Sequence, residues 1–345
     1  MVGKRVNLIN VVTSKQVRVE APLRPTLFLF KVLSAKLTRS EISSQFLTKY
    51  PNFDKKWIYE YLNLLLKEKI IKPIEKKPRG MSVDYLAGLG RQLDFFSELD
   101  NGKSKYANQR TLKNAKVGIL GLGSVSHYII MPLIASGIGN LKCVDFDIIE
   151  KRNITRQPIF RPEDIGKLKS TTVANFVNHV SKDIGAEAIN KKLENEKDVM
   201  SVVVDCDVVV QSCDLPRFQV HRWINGACLK LNKPNIIVYS GRVGPFSIPY
   251  KTACYGCLET ALKRKFALYD HLAENVTNGG VEQFPALAVV GALSGTLAAK
   301  EIIAHFLGIR PQTYDGFYDI NPFQLKANFN KLLIDPSCYA CSNSR

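Results

Sequence analysis

Ala115-Lys-Val-Gly-Ile-Leu120 runs straight into Gly121-Leu-Gly123-Ser124-Val-Ser126, and the fold class is read from this junction. The first six residues are compact and mostly apolar, as a buried strand is. The next six form a glycine-rich turn that opens a helix. In that setting each glycine has a purpose: Gly121 permits the tight turn, and Gly123 lets the backbone approach a phosphate at the helix N-terminus. Ser126 stands where the GxGxxG fingerprint has its third glycine, and Pro132 is expected to kink the helix that follows. The next strand, 141–144, ends in Asp145, 24 positions after Gly121. That is near the spacing at which an acidic residue reaches the ribose of a nucleotide on the first turn. An α/β chain with a Rossmann-like mixed sheet is the resulting expectation.

Immediately after the strand comes Asp145-Phe-Asp147-Ile-Ile-Glu-Lys-Arg-Asn153-Ile-Thr-Arg156-Gln157. Two carboxylates, an amide and an arginine behind a nucleotide-binding strand suit a triphosphate and its magnesium better than a nicotinamide cofactor. Lys169, thirteen residues past Arg156, adds a point charge for the phosphates. A further apolar strand, 208–210, delivers Asp214 in Gln211-Ser-Cys-Asp214, a strand-end carboxylate fit for magnesium or ribose.

Together these motifs resemble the ubiquitin-activating-enzyme-like ThiF/MoeB adenylating family from about Gly88 onward. The resemblance implies an ATP-dependent enzyme that converts a carboxylate to an acyl-adenylate with loss of pyrophosphate. It further implies ATP contacts from Gly121, Gly123, Ser124, Asp145, Asp147, Asn153, Arg156, Gln157 and Lys169, with Asp214 on Mg2+. The family also supplies an arginine across a homodimer, and Gly88-Leu-Gly-Arg91-Gln92 matches that pattern at Arg91 and Gln92. Arg91, Arg156, Lys169 and Asp214 are therefore the candidate catalytic residues.

Of eight cysteines, Cys143, Cys206, Cys213 and Cys228 stand alone and read as small buried hydrophobes. The others form Cys254-Tyr-Gly-Cys257 and Cys338-Tyr-Ala-Cys341, a four-thiolate set for a closed, structural Zn2+ site. The 80 residues between the pairs exclude a compact zinc finger and predict that the metal pins the C-terminal tail to the domain body. The same two pairs occur in bacterial members of the adenylating family. No cysteine lies between 257 and 338, where tag-transferring members carry a thioester nucleophile. Residues 263–284 read as a mobile crossover loop, and 286–307 as a helix with Gly291 and Gly295 on one face, packed on the sheet or a second subunit.

The 345 residues carry 48 Lys+Arg against 31 Asp+Glu, a net charge of +17, which alone suggests a nucleic-acid binder. The first 80 residues hold +11 of it, so the basicity belongs mainly to an N-terminal module. That module (1–80, against 81–345 for the adenylation domain) reads as α+β and winged-helix-like. It has strands at 5–12 and 16–20 around a Thr13–Ser14 turn, and a helix over 26–37. A second helix over 39–50 has Ser40 as candidate N-cap, a third is capped by Asp54, and 70–74 forms a wing strand. DNA meets Lys55, Lys56, Lys67 and Lys69, or an edge strand accepts an acidic peptide by β-augmentation, or the basic face is solvated and has no partner.

An adenylating domain behind such a module resembles the branch of the family that modifies ribosomally made peptides. That resemblance implies a precursor peptide clamped through its leader, a carboxyl or carboxamide activated by ATP, and cyclisation as the outcome, in peptide antibiotic biosynthesis. It makes nucleic acid an unlikely partner. A sulfur-carrier-protein adenylyltransferase and a DNA-binding, nucleotide-sensing regulator are the alternatives. With 46% hydrophobic and 23% charged residues the chain is globular. No secretory signal or apolar run near the ~18 residues of a membrane span is read, so a cytoplasmic location is expected.

Overall fold

The computed structural model describes residues 5–9, 16–68, 70–75, 79–99, 101–275, 286–321, 323–324 and 326–342. The chain divides into two compact units, Met1–Ser82 with Leu93–Asp100, and Val83–Gln92 with Asn101–Arg345.

The first unit pairs β1 (Arg5–Ile9) antiparallel with β2 (Gln16–Glu20) and follows them with α1 (Leu23–Leu33), α2 (Arg39–Lys49) and α3 (Lys55–Lys67). The Thr13–Ser14 turn lies outside the described residues. Helix α1 starts three residues earlier than expected because Pro25 is accommodated in its first turn, where a missing N–H costs nothing. Thr38 and not Ser40 caps α2: its hydroxyl accepts from the Glu41 amide, and the Glu41 carboxylate returns the bond to Thr38 N. Asp54 caps α3 as predicted, accepting from Trp57 N at 2.6 Å. The expected wing strand is not formed. Residues 70–75 have no strand hydrogen bonding, and the Ile70 and Ile71 amides instead close the end of α3 on the Leu65 carbonyl. Their side chains pack against a core of Leu29, Phe46, Ile58, Leu62 and Leu65, and this burial is what diverts them from an edge strand. Phe46, Trp57 and Tyr61 stack along it, Trp57 and Tyr61 at 5.1 Å and 13°.

Helices α4 (Val83–Gly88), α5 (Gly90–Glu98) and α6 (Lys105–Asn114) lead into the second unit's sheet. Its strands are β3 (Lys116–Leu120), β4 (Asn140–Val144), β5 (Gly185–Ile189), β6 (Val208–Gln211), β7 (Asn235–Tyr239), β8 (Arg242–Ser247), β9 (Gly316–Asn321) and β10 (Lys326–Lys331). They lie in the order β10-β9-β8-β7-β6-β3-β4-β5. The strands from β7 to β5 run parallel; β8, β9 and β10 join antiparallel. β3, β4 and β6 are fully buried at nearly every position, as parallel strands covered on both faces must be. The chain winds from β3 toward β5, then crosses back to β6 and β7. The order therefore reverses between β3 and β6, which opens a crevice beyond their C-terminal ends.

The helices of this unit are α7 (Ser124–Ala135), α8 (Lys151–Ile154), α9 (Lys169–Val180), α10 (Glu196–Val203), α11 (Gln219–Lys230), α12 (Tyr255–Lys265), α13 (Tyr269–Asn275) and α14 (Ala288–Leu307). Helix α7 continues through Pro132 to Ala135. Much of the expected loop over 263–284 is helical, in the end of α12 and in α13; residues 276–285 lie outside the described part. Helix α14 packs on α7 of its own chain: a Cβ on Gly291 would meet Ser124 Oγ at 2.8 Å, and one on Gly295 the Val125 carbonyl at 2.5 Å. At 20 residues α14 is long and apolar enough to span a bilayer by length and composition, which the sequence reading missed because Lys300 and Glu301 interrupt it.

Candidate functional site

Three strand ends build the crevice. β3 delivers the glycine turn, β4 delivers Asp145, and β6 delivers Asp214. Gly121 adopts φ +88°, and a Cβ there would lie 2.6 Å from the Cys213 amide nitrogen, so only glycine fits. Gly123 caps α7, and a Cβ there would meet nothing within 4 Å: the space above this turn is open. The first amides of α7 have no intrahelical partner and face that space. Ser126, in the third glycine's place, is buried and turns its hydroxyl back to the Gly123 carbonyl at 2.7 Å, which stiffens the turn.

Asp145 is buried, and its carboxylate accepts from Leu122 N at 2.6 Å and Asp147 N at 2.8 Å. One side chain thereby ties the glycine turn to the start of the acidic run. Burial pushes its carboxyl up, against the pull of Lys169 and these two amides. Lys169, the first residue of α9, is buried and reaches Asp147 Oδ2 at 2.8 Å. Asn153 and Gln157 are buried on either side of Arg156. Asn153 closes a capping box with Glu150, and the Ser124 hydroxyl donates to the Arg156 carbonyl at 2.9 Å. Gln157 Oε1 is buried without a hydrogen-bond partner among the described residues.

Asp214 is exposed by its accessible surface, yet protein atoms crowd the side of its carboxyl that faces the crevice, and this loss of hydration pushes the carboxyl up. The charges of Arg217, Lys169 and Arg156 act in the opposite sense, and Asp145 adds to the rise. Asp145, Arg156, Lys169 and Asp214, scattered over 70 positions of sequence, thus share one field. Arg217 is the member that sequence reasoning missed: it is buried, and its closest charge coupling is to Asp214. A cation three residues past a strand-end aspartate was the available signal. His127 was missed too. It is fully buried, and its Nδ1 accepts from Ile159 N at 3.2 Å; burial first, and the charge of Lys169 after it, lower its pKa to about 3. Arg91, at the start of α5, is exposed and has no ion pair among the described residues.

The four paired cysteines come together. Their sulfurs lie within 4.8 Å of one another and are buried, a set that could hold a metal ion. Cys254 Sγ stands 3.9 Å from Cys257 and 3.7 Å from Cys338, and Cys257 stands 3.5 Å from Cys341. The amides of Asp335 and Ala340 donate to Cys257 and Cys338 Sγ. Cys143, Cys206 and Cys228 are buried as expected; Cys213 is half-buried against the Gly121 turn.

The sequence model described as the ThiF family matches residues 89–342. The molybdopterin-synthase adenylyltransferase of Salmonella typhimurium is 25% identical over 240 residues, 68% of this chain and 90% of that one. The sulfur carrier protein ThiS adenylyltransferase of Escherichia coli is 30% identical over 154 residues, 44% of this chain and 60% of that one. Among solved structures, E. coli MccB with ATP superposes with a TM-score of 0.71 at 22% identity, covering 99% of each chain. PaaA superposes with a TM-score of 0.69 at 18% identity, covering 80% of this chain and 92% of that one. These two share the fold.

Proposed function

The chain belongs to the ThiF family and is an enzyme of the adenylyltransferase type, and from that premise we propose that it activates a carboxyl group of a ribosomally made peptide with ATP. The observation that carries the adenylation step is the crevice, where an open glycine turn and helix N-terminus meet Arg156, Lys169 and Arg217 opposite Asp145 and Asp214. In this reading the turn and the α7 amides hold the phosphates, Asp145 the ribose, and Arg156 and Lys169 the triphosphate charge. Asp147, Asn153, Ser124 and Gln157 shape the wall between them, with Gln157 Oε1 the atom left for the ligand.

The substrate carboxylate oxygen attacks the α-phosphorus. That P–O bond forms as the bridging bond to the β-phosphate breaks, and pyrophosphate leaves. A nucleophile then attacks the carbonyl carbon, loses its proton to solvent and expels AMP. The catalytic contribution is charge placement: fixed cations and amides meet the negative charge that develops on the phosphoryl oxygens. In this reading Asp214 would hold Mg2+, which when bound would neutralise phosphate charge.

The peptide substrate is supported by MccB, whose likeness spans 99% of this chain, the first unit included, and which is solved with MccA-N7isoASN. The β1–β2 pair and the basic first unit suit an acidic leader added as a strand. Cyclisation of the activated peptide is the proposed outcome, and Arg91 the residue lent across a homodimer. The cysteine cluster fits Zn2+: a tetrahedron with Zn–S bonds of ~2.3 Å has edges of about 3.8 Å, close to the sulfur spacings here, and four thiolates leave no open position. The metal's contribution is structural.

The experiment is pyrophosphate release and peptide mass in the presence of ATP and candidate precursors encoded near the gene. Loss of water without added AMP supports cyclisation, and AMP retained on the peptide replaces it with a phosphoramidate outcome. Turnover only with a small protein ending in Gly-Gly establishes the second reading, a sulfur-carrier adenylyltransferase, which the curated relatives favour. No turnover with either substrate class overturns adenylation.

A further inference from the structure

Glu259 is a charge that the crevice chemistry leaves unused. It is fully buried on α12, and α11, α13 and the C-terminal cysteine pair each send a side chain to its carboxylate. Arg222 of α11 donates to it from Nε at 3.1 Å to each oxygen and again from Nη2. The Tyr339 hydroxyl donates to Oε2 at 2.7 Å, and the Tyr269 hydroxyl of α13 approaches Oε1 at 3.5 Å.

Each partner leads somewhere. Tyr339 lies between Cys338 and Cys341, and Glu259 itself lies two residues after Cys257, so one side of the network is the cysteine cluster. The other side is the segment that carries Asp214 and Arg217. The Arg222 amide donates to the Phe218 carbonyl at 3.1 Å, and the Tyr269 ring meets the Phe218 ring edge-on at 5.7 Å. Phe218 sits at φ +57°, in a region that an aromatic residue rarely adopts, so its surroundings must hold it there. Glu259 is fully buried while the Arg222 side chain keeps 34% of its surface, so the carboxylate depends on this arginine and the two tyrosines for its pairing, and the bidentate contact fixes their geometry.

We propose that Glu259 is a positioning residue that couples the four-cysteine cluster to the 214–218 segment and thereby sets the Asp214 carboxylate at the crevice. The inference rests on the proposed role of Asp214 at the ATP site.

The test uses the full chain with its metal. Glu259→Gln, Glu259→Asp and Tyr339→Phe are compared with the parent for metal content and melting. Hydrogen exchange is followed at amides 214–222 without nucleotide, and ATP affinity is measured with and without Mg2+. In Glu259→Gln the metal is retained, exchange across 214–222 rises by about tenfold or more, and the gain in ATP affinity due to Mg2+ falls by about fivefold or more. ATP affinity without Mg2+ stays within about twofold of the parent. Glu259→Asp recovers part of the Mg2+-dependent gain, and Tyr339→Phe shows a smaller change of the same kind. Adding Glu259→Gln to Asp214→Asn lowers the Mg2+-dependent gain no further, because both act through one group. Unchanged exchange at 214–222 in metal-replete Glu259→Gln overturns the coupling, as does an ATP defect equal with and without Mg2+. If the parent itself binds no ATP, the ATP reading fails, and the exchange measurement alone decides the coupling. If Glu259→Gln does not fold, Tyr339→Phe carries the same comparison.

Discussion

Lys169 and Asp147 are joined twice: the ammonium lies 2.8 Å from Asp147 Oδ2, and the Lys169 amide donates to the Asp147 carbonyl at 3.0 Å. The pair holds a buried cation at the crevice wall before any phosphate arrives. Replacing Lys169 by Met keeps the stem's packing and leaves Asp147, half exposed, free to hydrate. Pyrophosphate exchange should fall about 10²–10³-fold, the cost of losing one fixed charge-stabilising donor, while the melting temperature changes little. Exchange within threefold of the parent, about 0.7 kcal/mol on the barrier, would show that the lysine does not serve the triphosphate.

The two glycines of the turn should separate folding from binding. Gly121→Ala combines positive φ with a backbone clash against Cys213 and should cost several kcal/mol (about 2–4). Gly123→Ala has room and an extended φ, so it should melt like the parent yet bind ATP about tenfold or more weakly, because its methyl occupies the phosphate's approach. Calorimetry with ATP and a thermal melt check both. Equal melting temperatures for the two variants would contradict the geometry.

Asp214 gives a pH test with a definite sign. Its carboxyl titrates above the ordinary aspartate value because burial penalises the charge. Folding without ligand is therefore opposed by this group at neutral pH, and that opposition fades as pH falls through its raised pKa. Asp214→Asn should raise the melting temperature of the free protein at pH 7 and abolish the Mg2+-dependent part of ATP binding. A variant that melts lower, or that keeps its Mg2+ dependence, would show the carboxylate misplaced.

His127 and His221 act in the opposite sense. Burial lowers them to about 3 and about 4, whereas the unfolded chain titrates them near ~6.5. Below pH ~6.5 the unfolded state binds protons that the native state refuses, so stability is lost with a slope of up to about 1.4 kcal/mol per pH unit for each imidazole. The loss from the pair extends down to about pH 4, and His127 alone continues to about 3. Denaturant unfolding at pH 7, 6 and 5 reads this directly; equal stability at pH 7 and 5 would exclude buried neutral rings.

The cysteine cluster should release one Zn2+ per chain to a chelator once its thiolates are titrated with a mercurial. Cys338→Ala should lose the metal, lower the melting temperature and loosen the network around Tyr339 and Glu259. A metal-free protein that melts at the same temperature would leave the cluster without a structural role.

Much of the crevice was legible because its chemistry sits at strand ends, where a short apolar run and the next polar residue fix position together. Gly121, Asp145 and Asp214 are of this kind. What was not legible depends on tertiary choice. Ser40 and Thr38 are both competent caps, and only the Glu41 side chain, three residues past Thr38, decides between them. Ile70 and Ile71 have strand-forming side chains but find a buried face first. Glu259 looks like an ordinary charge until folding buries it beside Arg222 and Tyr339, 37 and 80 positions away in sequence.

The seating of Gly291 and Gly295 against α7 has a consequence for how the protein is made. Helix α7 emerges from the ribosome early, but the surface that braces it, α14, is translated more than 150 residues later. A nascent chain therefore carries the glycine turn without its brace until α14 follows. Closing so long a loop is entropically slow, and the apolar side of α7 is exposed in the interval. The residues of the crevice, 121 to 217, are therefore all made before the helix that braces their glycine turn, and folding of the site waits on a segment that contributes no residue to it.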